Sequence, residues 1–389
     1  MAFDLKKRKS RGKFSINPIK MKNTLQHPSA FIDAGDVHII RANAPEAEQM
    51  GVLHPEQLEI IYKQKWFKLL VPEVYSGRQV TLPELVHLQE AISWADGSTG
   101  WVVTLCSGAG WFGGFINPEI SQQIFDNNTV CLAGSGAVGS TAEITPGGYI
   151  VNGTWKYASG AHHASHITAN CRVIKNGEPV LTDSGEPLVL PFIFDKKEVT
   201  ILPAWKYVGM VATGSDSFAV KDLQVPVKSK FKIDPAAAVI SAPLYQYPFL
   251  QLAEATLAVN LSGIAIHFTD LCEGVFLEKT KQPRLNDEQK AFLMNELSQA
   301  KSELNLIRSD FFETVEQSWA AIQVDGTIPQ DILHQVSIAS RQLAHFSREC
   351  VDRLYPLCGL TAAKSETEIN RAWRDLHTAS QHALLTFDA

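Results

Sequence analysis

Apolar residues keep helical spacing along the first part of the chain, lose it, and regain it over much longer stretches; this double switch constrains the fold more than any single motif. From about Pro45 to Phe125 the spacing is helical. Pro55-Glu56-Gln57 opens a segment carrying Leu58, Ile61 and Tyr62, and Leu82-Pro83-Glu84 opens another through Leu85, Leu88 and Ile92. Between them, Val71-Pro72-Glu73-Val74-Tyr75-Ser76-Gly77 reads as a loop from its Pro and Gly. From Val130 to about Ile233, short apolar runs such as Leu188-Val189-Leu190-Pro191-Phe192-Ile193-Phe194 are punctuated by Gly and Pro, which predicts antiparallel strands in a small barrel or sandwich.

Beyond Ala242 the helical pattern returns. Leu293, Leu297, Ala300, Leu304, Ile307, Phe311 and Val315 follow at steps of 4-3-4-3-4-4, close to a heptad seam, and a second long segment runs from Asp331 to Leu354. Gly326-Thr327-Ile328-Pro329 supplies the turn between them. The pattern predicts an α+β multidomain chain: a basic, solvated tail at 1–22, an N-terminal α-helical domain at 23–125, a central antiparallel β-barrel or sandwich at 126–235 and a C-terminal four-helix bundle at 236–389. With 389 residues, 45% of them hydrophobic, the chain has material for two or three such units.

The formal net charge of -6 conceals an uneven distribution. Residues 1–22 hold eight basic side chains and one acid, so the rest of the chain is strongly acidic, which argues against nucleic acid as a partner. The basic start has no apolar h-region or small-residue cleavage pattern. Six cysteines form no CxxC pair and sit among apolar neighbours, as buried free thiols do, and no run approaches a membrane span, so the expected compartment is the cytoplasm.

The strings Pro72-Glu73-Val74-Tyr75-Ser76-Gly77, Asp96-Gly97-Ser98-Thr99-Gly100-Trp101, Gly147-Gly148-Tyr149-Ile150-Val151-Asn152-Gly153-Thr154-Trp155 and Trp205-Lys206-Tyr207-Val208-Gly209-Met210-Val211-Ala212-Thr213-Gly214-Ser215-Asp216 fall in order through the first two regimes. Together with the α, β, α order they resemble landmarks of the acyl-CoA dehydrogenase superfamily. Arg371-Ala372-Trp373-Arg374-Asp375-Leu376-His377, followed by His382, is similar to the C-terminal signature of the oxygenase components of two-component flavin-dependent monooxygenases, of the p-hydroxyphenylacetate hydroxylase and dibenzothiophene monooxygenase type. Where the dehydrogenases carry their proton-abstracting carboxylate, nine residues after the arginine, this chain has Ala383.

The resemblance implies an enzyme that receives reduced flavin, FMN with FAD as the alternative, from a flavin reductase and uses O2, through a flavin C4a-hydroperoxide, to oxygenate a small aromatic or heteroaromatic substrate. A homotetramer is implied as well. Such chemistry needs a dry pocket and a hydrogen-bond donor near flavin N5. By the same resemblance Ser135, Tyr157, Ala158 and Ser159 hold the flavin, with the Ser159 hydroxyl at N5; Ser135 and His382 are the catalytic candidates; and Trp101, Ala109, Trp111, Phe112 and His382 line the substrate pocket. Ala109 stands where the phenol hydroxylases of this group have a second histidine. The other readings are an FAD-dependent acyl-CoA dehydrogenase-like enzyme with a relocated base, and a non-catalytic oligomeric scaffold of the same fold.

Two further features are assigned structural roles. His162, His163 and His166 lie close together but lack a nearby carboxylate or thiol to complete a metal site, so no metal is expected. Arg374 and Asp375 read as an ion pair or helix anchor. No GxGxxG follows a strand and no GxSxG elbow is present, which removes Rossmann and α/β-hydrolase readings.

Overall fold

The computed structural model describes residues 25–386. The basic tail at 1–22 lies outside them.

Among the described residues five α-helices precede the sheet: α1 (Ala34–Met50), α2 (Pro55–Lys63), α3 (Leu82–Ala95), α4 (Gly97–Gly110) and α5 (Pro118–Phe125). Each begins where a side chain satisfies the free N–H groups of the first turn. Asp33 caps α1, His54 and Gln57 form a capping box on α2, Thr81 and Glu84 form one on α3, Asp96 caps α4 and Asn117 caps α5. The loop between α2 and α3 contains two 3₁₀ turns, Trp66–Lys68 and Glu73–Tyr75. Helix α4 is built mostly of small residues and is buried almost throughout. At Gly100 a Cβ would sit 2.1 Å from Ser93 Oγ, so only glycine permits α4 to lie this close to α3.

The strands are β1 (Leu132–Thr145), β2 (Gly148–Trp155), β3 (His166–Lys175), β4 (Glu178–Pro179), β5 (Val189–Asp195), β6 (Thr200–Leu202) and β7 (Ser217–Pro226). They form one sheet in the order β4-β3-β1-β2-β7-β6, with β5 also paired to β3. The sheet is not wholly antiparallel as expected, because β1 and β3 run parallel. After the β1–β2 hairpin the chain leaves the sheet and returns on the far edge of β1. A strand antiparallel to β2 in that position must run the same way as β1. The β1–β3 register shifts between Ser135 and Val138 and again before Thr141, so β1 bends at its Gly-rich start.

The last region comprises α6 (Pro243–Gln246), α7 (Phe249–Thr280), α8 (Asp287–Asp325), α9 (Gln330–Cys358), α10 (Leu360–Ala363), α11 (Glu368–Ala379) and α12 (Ala383–Thr386). The heptad seam is the buried stripe of α8, with Ile307 half-buried and its other members nearly inaccessible. Helix α7 is apolar and long enough to cross a membrane, contrary to the hydropathy reading of the sequence. Of its most apolar window, 83% is buried inside the protein, as befits a central core helix. Two buried ion pairs tie it in. Glu90 on α3 accepts from Arg308 on α8 at 2.6 and 2.8 Å and from Ser262 on α7, and Glu254 on α7 accepts from Arg341 and Ser337 on α9.

Arg374 and Asp375 anchor α11 without pairing with each other. The Asp375 carboxyl accepts from Met210 N at 2.5 Å, while Arg374 reaches Glu48 on α1 and the Val208 carbonyl at 2.8 Å. Adjacent residues on a helix point about 100° apart, which sends the two side chains to different neighbours. These bonds fix α11 against the β7 approach and α1, and so fix the turn that follows it, where His382 sits.

Candidate functional site

A cavity of about 250 Å³ lies where α4, the start of β1, β3, α7 and the turn after α11 meet. Each wall follows from element geometry. Thr104, Leu105, Gly108, Ala109 and Phe112 form one face of α4 and its 3₁₀ extension; Phe249, Leu252, Ala253, Thr256 and Leu257 form an i, i+3, i+4, i+7, i+8 stripe on α7. The sheet side is Gly134, Ser135 and Gly136 of β1 with Thr168, Ala169 and Asn170 of β3; Ser159, Pro191, Ile233, His382 and Leu384 complete the lining. Among the described residues, no Asp, Glu, Lys or Arg lines it.

Ser159 is buried and joined to two partners. Its Oγ accepts from the Trp101 indole N–H at 3.1 Å and lies 2.7 Å from Ser215 Oγ. Ser215 Oγ lies 2.7 Å from Thr213 Oγ1, which donates to the Met210 carbonyl at 2.7 Å. Ser135, at the first register shift of β1, donates to the Lys156 carbonyl at 2.7 Å and accepts from Ala137 N, so its hydroxyl proton ties the bend together instead of pointing into the cavity.

His382 follows α11 and faces the cavity beside Trp101, with ring centroids 6.0 Å apart. Its Nδ1 accepts from Leu384 N, so the proton of the neutral ring sits on Nε2. Burial holds the imidazole below its usual range and keeps it neutral. His377 is a structural residue, spanning the Trp373 carbonyl and Asp352.

The structure therefore gathers Ala109, Phe112, Ser135, Ser159 and His382 on one cavity and places Trp101 directly behind two of them. Trp111 is a correction. It is buried against Phe115, Tyr245 and Phe249 and donates to the Leu244 carbonyl at 2.9 Å. In the 3₁₀ turn that ends α4, consecutive side chains point about 120° apart, so Phe112 faces the cavity and Trp111 the core. Ala158 is fully buried, with its N–H bound to the Asp216 carbonyl. Tyr157 takes a positive φ of 65° and is exposed beside the half-buried Trp205 and the exposed Tyr207; neither it nor Ala158 lines the cavity.

The three clustered histidines diverge. His162 pairs with Asp216 at 2.7 Å, His163 accepts from Leu53 N and is pushed down to about 4 by burial, and His166 bonds Ser165. Beneath the site, Asp375 is wholly buried. Burial, then the nearby Asp96 carboxylate, raises its carboxyl to about 7.

Sequence reading missed the α7 stripe, because a helix buried on nearly every side has no contrasting polar face to reveal it. It also missed Thr213 and Ser215 as partners of Ser159, although both lie in the quoted Thr213-Gly214-Ser215 string.

Comparison with known proteins agrees with this architecture. Residues 250–387 match the acyl-CoA dehydrogenase C-terminal domain family. The indole-3-acetate monooxygenase of Pseudomonas putida is 25% identical over 350 residues, covering 89% of this chain and 87% of that protein. The flavin-dependent monooxygenase oxygenase subunit HsaA of Mycobacterium tuberculosis is 27% identical over 366 residues, 88% of each chain. A crystal structure of the HsaA monooxygenase from M. tuberculosis superposes with a TM-score of 0.82, at 24% identity and 92% coverage of both chains. XiaF from Streptomyces sp., solved in complex with FADH2 and glycerol, superposes with a TM-score of 0.78, at 21% identity and 92% coverage of both. The fold is acyl-CoA dehydrogenase-like, and the homologous proteins are monooxygenases, among them an oxygenase subunit of a flavin-dependent one.

Proposed function

We propose that this chain is the oxygenase component of a two-component monooxygenase. It takes reduced flavin from a separate reductase and places one oxygen atom of O2 on a small, neutral aromatic or heteroaromatic substrate. The observation that carries the reading is the cavity itself: an apolar chamber free of charged lining, with a neutral imidazole and the buried Ser159 hydroxyl oxygen at its wall.

The lining suits a flavin ring. Ser159 presents its hydroxyl oxygen at the cavity wall, and the Gly134-Ser135-Gly136 stretch of β1 brings backbone close to the cavity without bulky side chains. Bound there, reduced flavin supplies two electrons and the carbon at which O2 is activated. In the net reaction the substrate gains one oxygen atom of O2, the other leaves as water, and the flavin is left oxidised. The chain's own contribution is exclusion and orientation. Leu105, Ala109, Phe112, Phe249, Leu252 and Leu257 keep water out, and His382 donates from Nε2 to a substrate or dioxygen-derived oxygen.

The uncharged lining favours a neutral substrate, because a carboxylate buried here without a cation costs several kcal/mol. It also favours the oxygenase over a dehydrogenase with a relocated base, since α-proton abstraction needs a carboxylate at the cavity. A scaffold without chemistry has no need of the preformed chamber. FMN is the flavin implied by the sequence resemblance, and the FADH2 complex of XiaF makes FAD the form to test beside it. The reductase, a homotetrameric assembly and a cytoplasmic location belong to the same proposal.

The test supplies chemically reduced FMN or FAD anaerobically with indole or an uncharged phenol, then admits isotopically labelled O2. The expected product carries one labelled oxygen, and indole-3-acetate is turned over poorly. Absence of labelled product with both flavins across a panel of neutral aromatics overturns the reading.

A further inference from the structure

We propose that Thr213 and Ser215 are positioning residues that fix the direction of the Ser159 hydroxyl, making it an acceptor toward the cavity and so selecting reduced over oxidised flavin. This rests on the flavin reading above.

The direction follows from counting protons. The Met210 carbonyl can only accept, so the hydroxyl proton of Thr213, 2.7 Å away, is committed to it. Ser215 Oγ, 2.7 Å from Thr213 Oγ1, must then donate to Thr213. Ser159 Oγ, 2.7 Å from Ser215 Oγ, must in turn donate to Ser215. On its other side Ser159 accepts the Trp101 indole N–H, which cannot act as an acceptor. The single proton of Ser159 is spent inside the protein, and what it shows the cavity is a lone pair.

The sequence reading expected a donor at this point; the hydrogen-bond chain reverses that polarity. An isoalloxazine ring carries a proton on N5 only when reduced, whereas oxidised N5 is an acceptor. A lone pair at Ser159 bonds the first and repels the second. The chain is buried over most of its length, with Ser159, Met210, Thr213 and Ser215 each no more than 6% exposed, so water does not readily reset it.

The experiment is anaerobic titration of the full-length protein with reduced and oxidised FMN, and the same with FAD, comparing the ratio of the two dissociation constants. Ser215→Ala removes the acceptor for the Ser159 proton and lets that hydroxyl turn toward the cavity. The preference for reduced flavin is expected to fall about fivefold, the worth of one neutral hydrogen bond. Thr213→Val releases the chain one step further out and is expected to act in the same direction; it decides the matter if Ser215→Ala does not fold. Thr213→Ser keeps the hydroxyl and is expected to retain the wild-type ratio. An unchanged ratio in folded Ser215→Ala, or a proportional loss of affinity for both redox forms, overturns the proposal while leaving the flavin reading intact. Failure of the wild-type protein to bind flavin in either state overturns both.

Discussion

The indole N–H of Trp101 points at Ser159 Oγ from 3.1 Å, and the same indole ring lies edge-on to His382 with centroids 6.0 Å apart. One α4 side chain thus couples two of the polar groups that line the cavity, although the three residues come from three different parts of the chain. Trp101→Phe keeps the ring and removes the N–H. Flavin affinity is expected to fall roughly three- to tenfold, as for one lost hydrogen bond, with the melting temperature little changed. Unaltered affinity for both redox forms contradicts the role given to this contact.

Gly108 lies on the cavity wall, and a Cβ built there meets nothing within 4 Å. Gly108→Leu is therefore expected to fill the chamber without strain and to improve helix propensity by up to about 1 kcal/mol. Product formation should drop at least about tenfold while Tm holds or rises, since the side chain occupies substrate volume. Full activity in a stable Gly108→Leu protein places the chemistry elsewhere.

His382 acts as a neutral donor, and burial lowers its pKa from the ordinary 6.5. Protonation turns both ring nitrogens into donors and breaks the bond from Leu384 N. Product yield per reduced flavin is expected to stay level at neutral pH and decline in acid with a midpoint below 6.5. His382→Ala should remove that limb of the profile and lower the yield by roughly 10²-fold, the scale of a lost positioned proton donor, with flavin affinity largely kept. A wild-type yield from His382→Ala refutes the assignment.

Asp375 gives a stability prediction with a definite sign. Its carboxyl titrates near 7 in the fold, against 3.8 for an ordinary aspartate, because burial and then Asp96 disfavour its charge. Between those values the folded protein holds a proton that the unfolded chain has released. Stability from this group is therefore present in acid, lost as pH rises toward 7, and constant above. Asp375→Asn keeps an oxygen for Met210 N but does not titrate. Relative to wild type it should gain roughly 1–3 kcal/mol between pH 4 and pH 8. Melting curves that stay parallel across this range contradict the shift.

How much of this was legible in the sequence differs from residue to residue. Leu82-Pro83-Glu84 announces the start of α3, and the Leu293 to Val315 seam announces the buried stripe of α8, because both signals are local. The order of helical and strand regions was readable for the same reason. Ser159 and His382 were reached by resemblance of their surrounding strings, and the structure sets both on one cavity. Trp111 and Phe112, neighbours of equal aromatic character, could not be told apart from sequence. Which one faces the cavity depends on how the last turn of α4 meets α6 and α7.

The sequence by itself determined the elements, their order and the absence of a carboxylate at Ala383, since caps, turns and periodicity act over a few residues. Only the tertiary structure decided that β3 runs parallel to β1, that the cavity is free of charge, and that the Ser159 proton points away from it. Those properties arise from contacts between segments far apart in the chain, such as Trp101 with Ser159, Ser159 with Ser215 and Met210 with Asp375. Burial gives each of them its direction, because a polar group out of reach of water must find its partner within the fold.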